Sequence, residues 1–152
     1  MLTDYVPFNL GPRGPMLLNL HTDRVAGYRE SQRPLVYLVA SAEDIAAAGH
    51  AVVVFDGHAL QRLSNAFTDV SRLAGLDWEA IEARQWADTE DDPDRQRRKQ
   101  AELLVHRALP WDLIRGVAVL DDAMKAQVEQ VFAAFPVVMH RPVAVLREWF
   151  YD

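Results

Sequence analysis

One carboxylate, Glu102, stands inside the apolar run AELLV at residues 101–105, directly after the positive cluster RRK at residues 97–99. Flanked by Ala101, Leu103, Leu104 and Val105, it is either turned to solvent on a half-buried element or held in a pocket. In a pocket, a carboxylate can stabilise developing positive charge or exchange a proton, with less screening by water. The charge upstream also has two readings. DTEDDPDRQRRK, residues 88–99, runs from acidic to basic around Pro93. It is either a solvated loop leading into an element or a basic rim beside the pocket, formed by Arg95, Arg97, Arg98 and Lys99.

Other familiar chemistries lack their residues. The five histidines, His21, His50, His58, His106 and His140, are dispersed, and no HExxH or other zinc spacing occurs, so no metal site is expected. Neither a GxGxxG nor a GxxxxGKS phosphate cradle is present, and no serine sits in a nucleophile elbow. The absence of cysteine removes disulfides and thiolate metal sites and fits a reducing compartment, so the expected location is cytoplasmic.

The scaffold that must position Glu102 is bounded by composition. A chain of 152 residues, 50% hydrophobic and with four Trp, can bury one sizeable core, so a single domain over residues 1–152 is expected. Its longest apolar runs, such as residues 51–55, fall far short of the ~20 residues that span a bilayer, and no membrane partner is expected. A formal charge of −6 argues against a broad basic face, so any nucleic-acid contact must be local.

Along the chain, residues 34–40, PLVYLVA, read as a buried strand. Ser41 then offers an N-cap, with Asp44 three residues on, for a short helix ending at Gly49. Residues 51–55 form a second buried strand, closed by the turn pair Asp56 and Gly57. In LDWEAIEARQW, residues 76–86, Asp77 caps a helix whose Trp78, Ile81 and Gln85 or Trp86 recur at helical spacing. Residues 101–107 alternate as a strand with Glu102, Leu104 and His106 on one face, although a helix would also bring Glu102 and His106 together. Pro110 starts a turn, residues 116–120 make a strand, and Asp121 caps a helix with Met124, Val128, Val131 and Phe132 as its apolar stripe. Two final strands, residues 137–140 and 143–150, pair like a hairpin. The irregular alternation predicts an α+β fold with a mixed β-sheet.

Three phrases carry a more specific signal: DYVPFNLGPRGPML (residues 4–17), YRESQRPLVYLVAS (28–41) and DRQRRKQAELLVHRALPW (94–111). In this order, and with VFDGHA (54–59), LDWEAIEARQW and RPVAVLREWFY (141–151) in place, the chain resembles the DarT family over nearly its whole length. The resemblance implies a mixed sheet of ADP-ribosyltransferase type with flanking helices. It also implies a toxin enzyme that moves ADP-ribose from NAD, its substrate, to a thymine base of single-stranded DNA, opposed by a macrodomain antitoxin that removes the mark. Glu102 aligns with the catalytic glutamate. Breaking the nicotinamide–ribose bond builds oxocarbenium character at the sugar, which a fixed carboxylate stabilises. The same group can hydrogen-bond a ribose hydroxyl or accept the proton lost by the thymine ring nitrogen.

A single strand wants cations, apolar platforms and a few base-edge contacts. Arg95, Arg97 and Arg98 would supply the cations. Met16, after the GPRGP turn, and His58, after FDG, lie on loops that could close over a base, and Arg13 would serve a phosphate or cap a turn. The sequence also departs from the family. Family members carry several tens of residues before the YVPF phrase, with a first strand, an NAD-binding loop and an arginine that contacts the dinucleotide. The N-terminal strand region is therefore expected to be missing, and the cofactor-binding residues stay unassigned. FNL stands where an FYF-like triplet is usual, which places Asn9 in an aromatic's position. An uncovered sheet edge would invite a homodimer. A second expectation follows from these departures: a catalytically inactive DarT-like domain that binds single-stranded DNA or a macrodomain antitoxin.

Overall fold

The structure, a computed structural model, describes residues 2–152. Along the chain run β1 (Tyr5–Asn9), α1 (Pro15–His21), β2 (Tyr37–Ala40), α2 (Ala42–Ala47), β3 (Val52–Phe55), β4 (Ala66–Phe67), α3 (Trp78–Glu82), α4 (Arg95–Lys99), β5 (Glu102–His106), β6 (Ile114–Val119), α5 (Asp122–Ala133) and β7 (Val143–Val145). They divide into two compact units. One holds the residues through Gly14 with Ala42–Leu109, the other Pro15–Ser41 with Pro110–Asp152. Each unit owns one sheet, and the architecture is α+β.

The first unit is built on an antiparallel sheet in the order β1-β5-β3-β4. Its centre is β5, buried from Glu102 to Val105 on both faces, against Val52 and Val54 of β3. Val54 and Val105 are fully enclosed, and Ile81 of α3 and Ile45 of α2 are nearly so. Each such side chain contributes roughly 1.5–3 kcal/mol on leaving water. Among the described residues β1 has one strand neighbour, and it carries Pro7, which lacks the N–H that a central strand would need. Helix α3 starts where the sequence predicts, with the Asp77 carboxylate accepting the Ala80 N–H, but it stops at Glu82. Trp86 lies beyond it.

The second unit carries a three-stranded sheet in the order β2-β6-β7. β2 is antiparallel to β6, whereas β7 runs parallel to it, with Val117 opposite Val143 and Val119 opposite Val145. This corrects the expected terminal hairpin. Residues 137–139, bracketed by Pro136 and Pro142, form a 3-10 turn, and residues 147–149 form another, leaving three residues of strand. A parallel pair needs a long crossover, and α5 supplies it. Asp121 caps α5 as expected, accepting the Met124 N–H at 2.9 Å. Val131, however, is 59% exposed and leaves the predicted stripe. Among the described residues no helix is long and apolar enough to cross a membrane.

Candidate functional site

The fork posed by Glu102 resolves toward burial: the residue is 8% exposed, at the start of the central strand β5. Register places it between Asn9 of β1 and Phe55 of β3, on one face of the sheet. Asn9 thus lies directly across from the carboxylate. A buried carboxylate needs partners, and residues 56–65 bring them. The Ala59 N–H donates to Glu102 Oε1, and His58 Nδ1 lies 3.0 Å from the same oxygen. A lone pair on Nδ1 would face the lone pairs of the carboxylate, so the ring presents Nδ1–H to Oε1. The competing use of Nδ1, as acceptor for the Leu60 N–H at 3.3 Å, is longer and lacks the assistance of charge.

The loop is fixed rather than loose. Asp56 clasps its far end, accepting the Asn65 N–H and the Asn65 side-chain amide at 2.8 Å each. Arg97 of α4 donates to the Asp56 carboxylate at 2.8 Å and to its carbonyl at 3.2 Å. Burial raises the Asp56 carboxyl, but the bonds from Asn65 and Arg97 outweigh it and leave the group below its ordinary range. Gly57 leaves little room for a side chain. A Cβ there would meet Ser64 Oγ at 2.7 Å, Arg97 Nη1 at 2.8 Å and Arg97 Cγ at 2.9 Å.

The cluster that reads as a charged loop or basic rim is the short helix α4, and its guanidiniums are engaged. Arg97 also pairs with Asp94 at 2.7 Å, which raises the guanidinium and holds the Asp94 carboxyl low. Arg98 pairs with Asp92 at 2.7 Å and Asp77 at 3.0 Å, and Arg95 with Glu79 at 3.5 Å and Asp92 at 3.6 Å. Lys99 does not join a rim. It is 3% exposed and donates to the Ile81 and Ala83 carbonyls at 2.6 and 3.1 Å, capping the end of α3. Burial, with Arg13 nearby, pushes its ammonium down to about 8.

Arg13 is buried in a left-handed conformation, φ 57°, and its guanidinium reaches the Glu82 carbonyl at 3.5 Å, the third carbonyl of the same helix end. It serves a helix terminus inside the first unit. Met16 stands on α1 of the second unit and is 68% exposed. Sequence reasoning missed the Ala59 N–H, which has no side-chain signature. It also missed Arg72, whose guanidinium lies 4.8 Å above the Phe67 ring, beside a cavity of about 220 Å³ that Asp77, Arg97 and Arg98 also line. No cluster of three potential metal ligands occurs among the described residues.

Comparison with known proteins places this geometry. A family model described as "ssDNA thymidine ADP-ribosyltransferase, DarT" matches residues 1–151. A DNA ADP-ribosyl transferase of Thermus aquaticus is 41% identical over 150 residues, covering 99% of this chain and 64% of the relative. The chain thus spans just under two thirds of that protein's length. The solved structure of Thermus sp. 2.9 DarT in complex with NAD+ superposes with a TM-score of 0.92 at 37% identity, covering 99% of this chain and 74% of the other. The same protein with ADP-ribosylated ssDNA gives 0.92 at 36% identity, with coverages of 99% and 70%.

Proposed function

The chain belongs to the DarT family, and on that premise we propose that it transfers ADP-ribose from NAD to thymine bases of single-stranded DNA, with Glu102 as the catalytic carboxylate. The observation that carries this reading is the position of Glu102: buried on the central strand, yet held by a backbone N–H and an imidazole on a fixed loop. Two donors to one oxygen set the rotamer and leave Oε2 for the sugar. As the bond from nicotinamide to the ribose C1″ breaks, positive charge spreads over C1″ and the ring oxygen, and the carboxylate stabilises it in a site where low dielectric strengthens the field. The thymine ring nitrogen bonds to C1″ as nicotinamide leaves, and the ring proton passes to Glu102, which His58 holds in place through its Nδ1–H.

The other candidates contribute according to what their side chains are free to do. Met16 is exposed and offers an apolar contact to a base. Arg95, Arg97 and Arg98 act on DNA through the loop and helix they brace, and Arg13 through the end of α3. The relatives' structures with NAD+ and with ADP-ribosylated ssDNA support the substrate pair. The family further suggests a macrodomain antitoxin as partner. A second copy would add its strand at β1, which has β5 as its one strand neighbour among the described residues and carries Pro7.

Incubation with labelled NAD and matched oligonucleotides tests the reading. Label should pass to thymine-containing single strands and not to duplex or thymine-free strands. Equal label on thymine-free strands, or none on any strand, would remove the assignment.

A further inference from the structure

The basic cluster ahead of β5 is not a free phosphate site. Its three guanidiniums face five carboxylates, those of Asp56, Asp77, Glu79, Asp92 and Asp94. Each of the three guanidiniums is thus already engaged by carboxylates and would have to give up an ion pair to take a phosphate. The loop that holds Glu102 presents a different surface. Beyond Ala59 it exposes Leu60 at 73% and Leu63 at 78%, with the exposed Arg62 between them. Among the described residues, Arg62 has no carboxylate within ion-pairing distance.

These side chains are not displayed by disorder. Gln61 donates its N–H to the His58 carbonyl at 2.9 Å, Ser64 to the Gln61 carbonyl at 3.1 Å, and the Asp56–Asn65 clasp closes the base. The two leucines are thus exposed on a hydrogen-bonded loop and offer apolar area to a partner. Leu63 follows Ala59 by four residues, a reach of at most about 14 Å from the Glu102 contact. We propose that the loop tip 60–63 is the strand-contact surface beside Glu102, with Arg62 taking a backbone phosphate of single-stranded DNA and Leu60 and Leu63 forming an apolar shelf for bases flanking the reacting one.

This inference rests on the DNA reading of the site and deepens it. One unpaired cation between two apolar platforms matches a polymer of alternating phosphate and unstacked base. Continuity with Glu102 selects the same polymer that must deliver the reacting base. A protein partner on this surface is the competing outcome.

Binding by fluorescence anisotropy, without NAD, tests the loop apart from catalysis. The probe is a labelled oligothymidylate of about 12 nucleotides, within the span of single-strand sites. Arg62→Ala should flatten the slope of log affinity against log salt by about 0.7, the share of one phosphate on a single strand. Arg62→Lys should restore the slope. Leu60→Ser with Leu63→Ser should weaken binding at every salt concentration with the slope unchanged, and circular dichroism should show an unaltered melting temperature for all variants. Wild-type affinity and slope in Arg62→Ala, or no binding by the wild type, would overturn the proposal. So would full affinity in the double serine variant, which would leave the shelf to a protein partner. If wild-type protein binds with these variant effects but modifies no DNA, the catalytic reading fails and the loop assignment stands.

Discussion

The central strands of the two sheets, β5 and β6, solve the same packing problem with opposite treatment of charge. Both have a neighbour on each side and both bury most of their residues. β6 places its one charged residue, Arg115, outward where it is exposed. β5 turns Glu102 inward and recruits the Ala59 N–H and His58 from a loop to hold it. A charge on a core strand that faces water costs little, whereas a buried one costs several kcal/mol unless partnered. A ten-residue loop, a glycine with little room for a Cβ and the Arg97 brace all converge on one carboxylate, as the proposed catalytic role would require.

The sharpest way to break the comparison is to give β6 what β5 has without the loop. Val117→Glu, at a position 3% exposed, should destabilise the fold by roughly 3–5 kcal/mol. Arg115→Ala should stay within about 0.5 kcal/mol. Urea unfolding of both variants reads the difference, and similar midpoints would mean that β6 tolerates buried charge as β5 does.

A smaller effect is expected from the loop. Gly57→Ala forces a Cβ against Ser64 and Arg97 and should cost roughly 1–3 kcal/mol. It should also lower turnover more than Gly75→Ala, where a Cβ meets nothing within 4 Å. Equal turnover in the two variants would detach the loop from catalysis.

A further effect is a pH dependence set by Lys99. Its ammonium falls from an ordinary 10.5 to about 8 in the folded protein. The unfolded chain therefore binds more protons between these values, and folding stability should rise as pH increases from about 8 toward 10.5. Lys99→Met should remove this rise, at the cost of leaving the Ile81 and Ala83 carbonyls without their donor. Chemical denaturation across the window reads the slope, and the same slope in Lys99→Met would assign it elsewhere.

Where the fold was legible, the signal was local. The alternation of AELLV gives β5, and the caps Asp77 and Asp121 mark helix starts at the observed residues. Residues 137–140 read as strand from their valines, but the two prolines that bracket them limit the backbone to a turn. The parallel seating of β7 depends on partners more than twenty residues away, which no local pattern encodes. The site divides the same way. Glu102 stood out because a carboxylate in an apolar run is anomalous. The pairing of Arg97 and Arg98 was hidden because Asp56 and Asp77 come from distant segments, and the Ala59 N–H leaves no mark on residue type.

The central claim is that Glu102 is held out of water for catalysis. The direct measurement is single-turnover transfer of labelled ADP-ribose to a thymine-containing single strand by wild type and Glu102→Gln. The amide keeps an oxygen for the Ala59 N–H, so the fold and DNA affinity should persist. Loss of the negative charge should slow transfer by about 10²–10³-fold or more. Transfer at the wild-type rate by a folded Glu102→Gln protein would contradict the account and return Glu102 to a structural role.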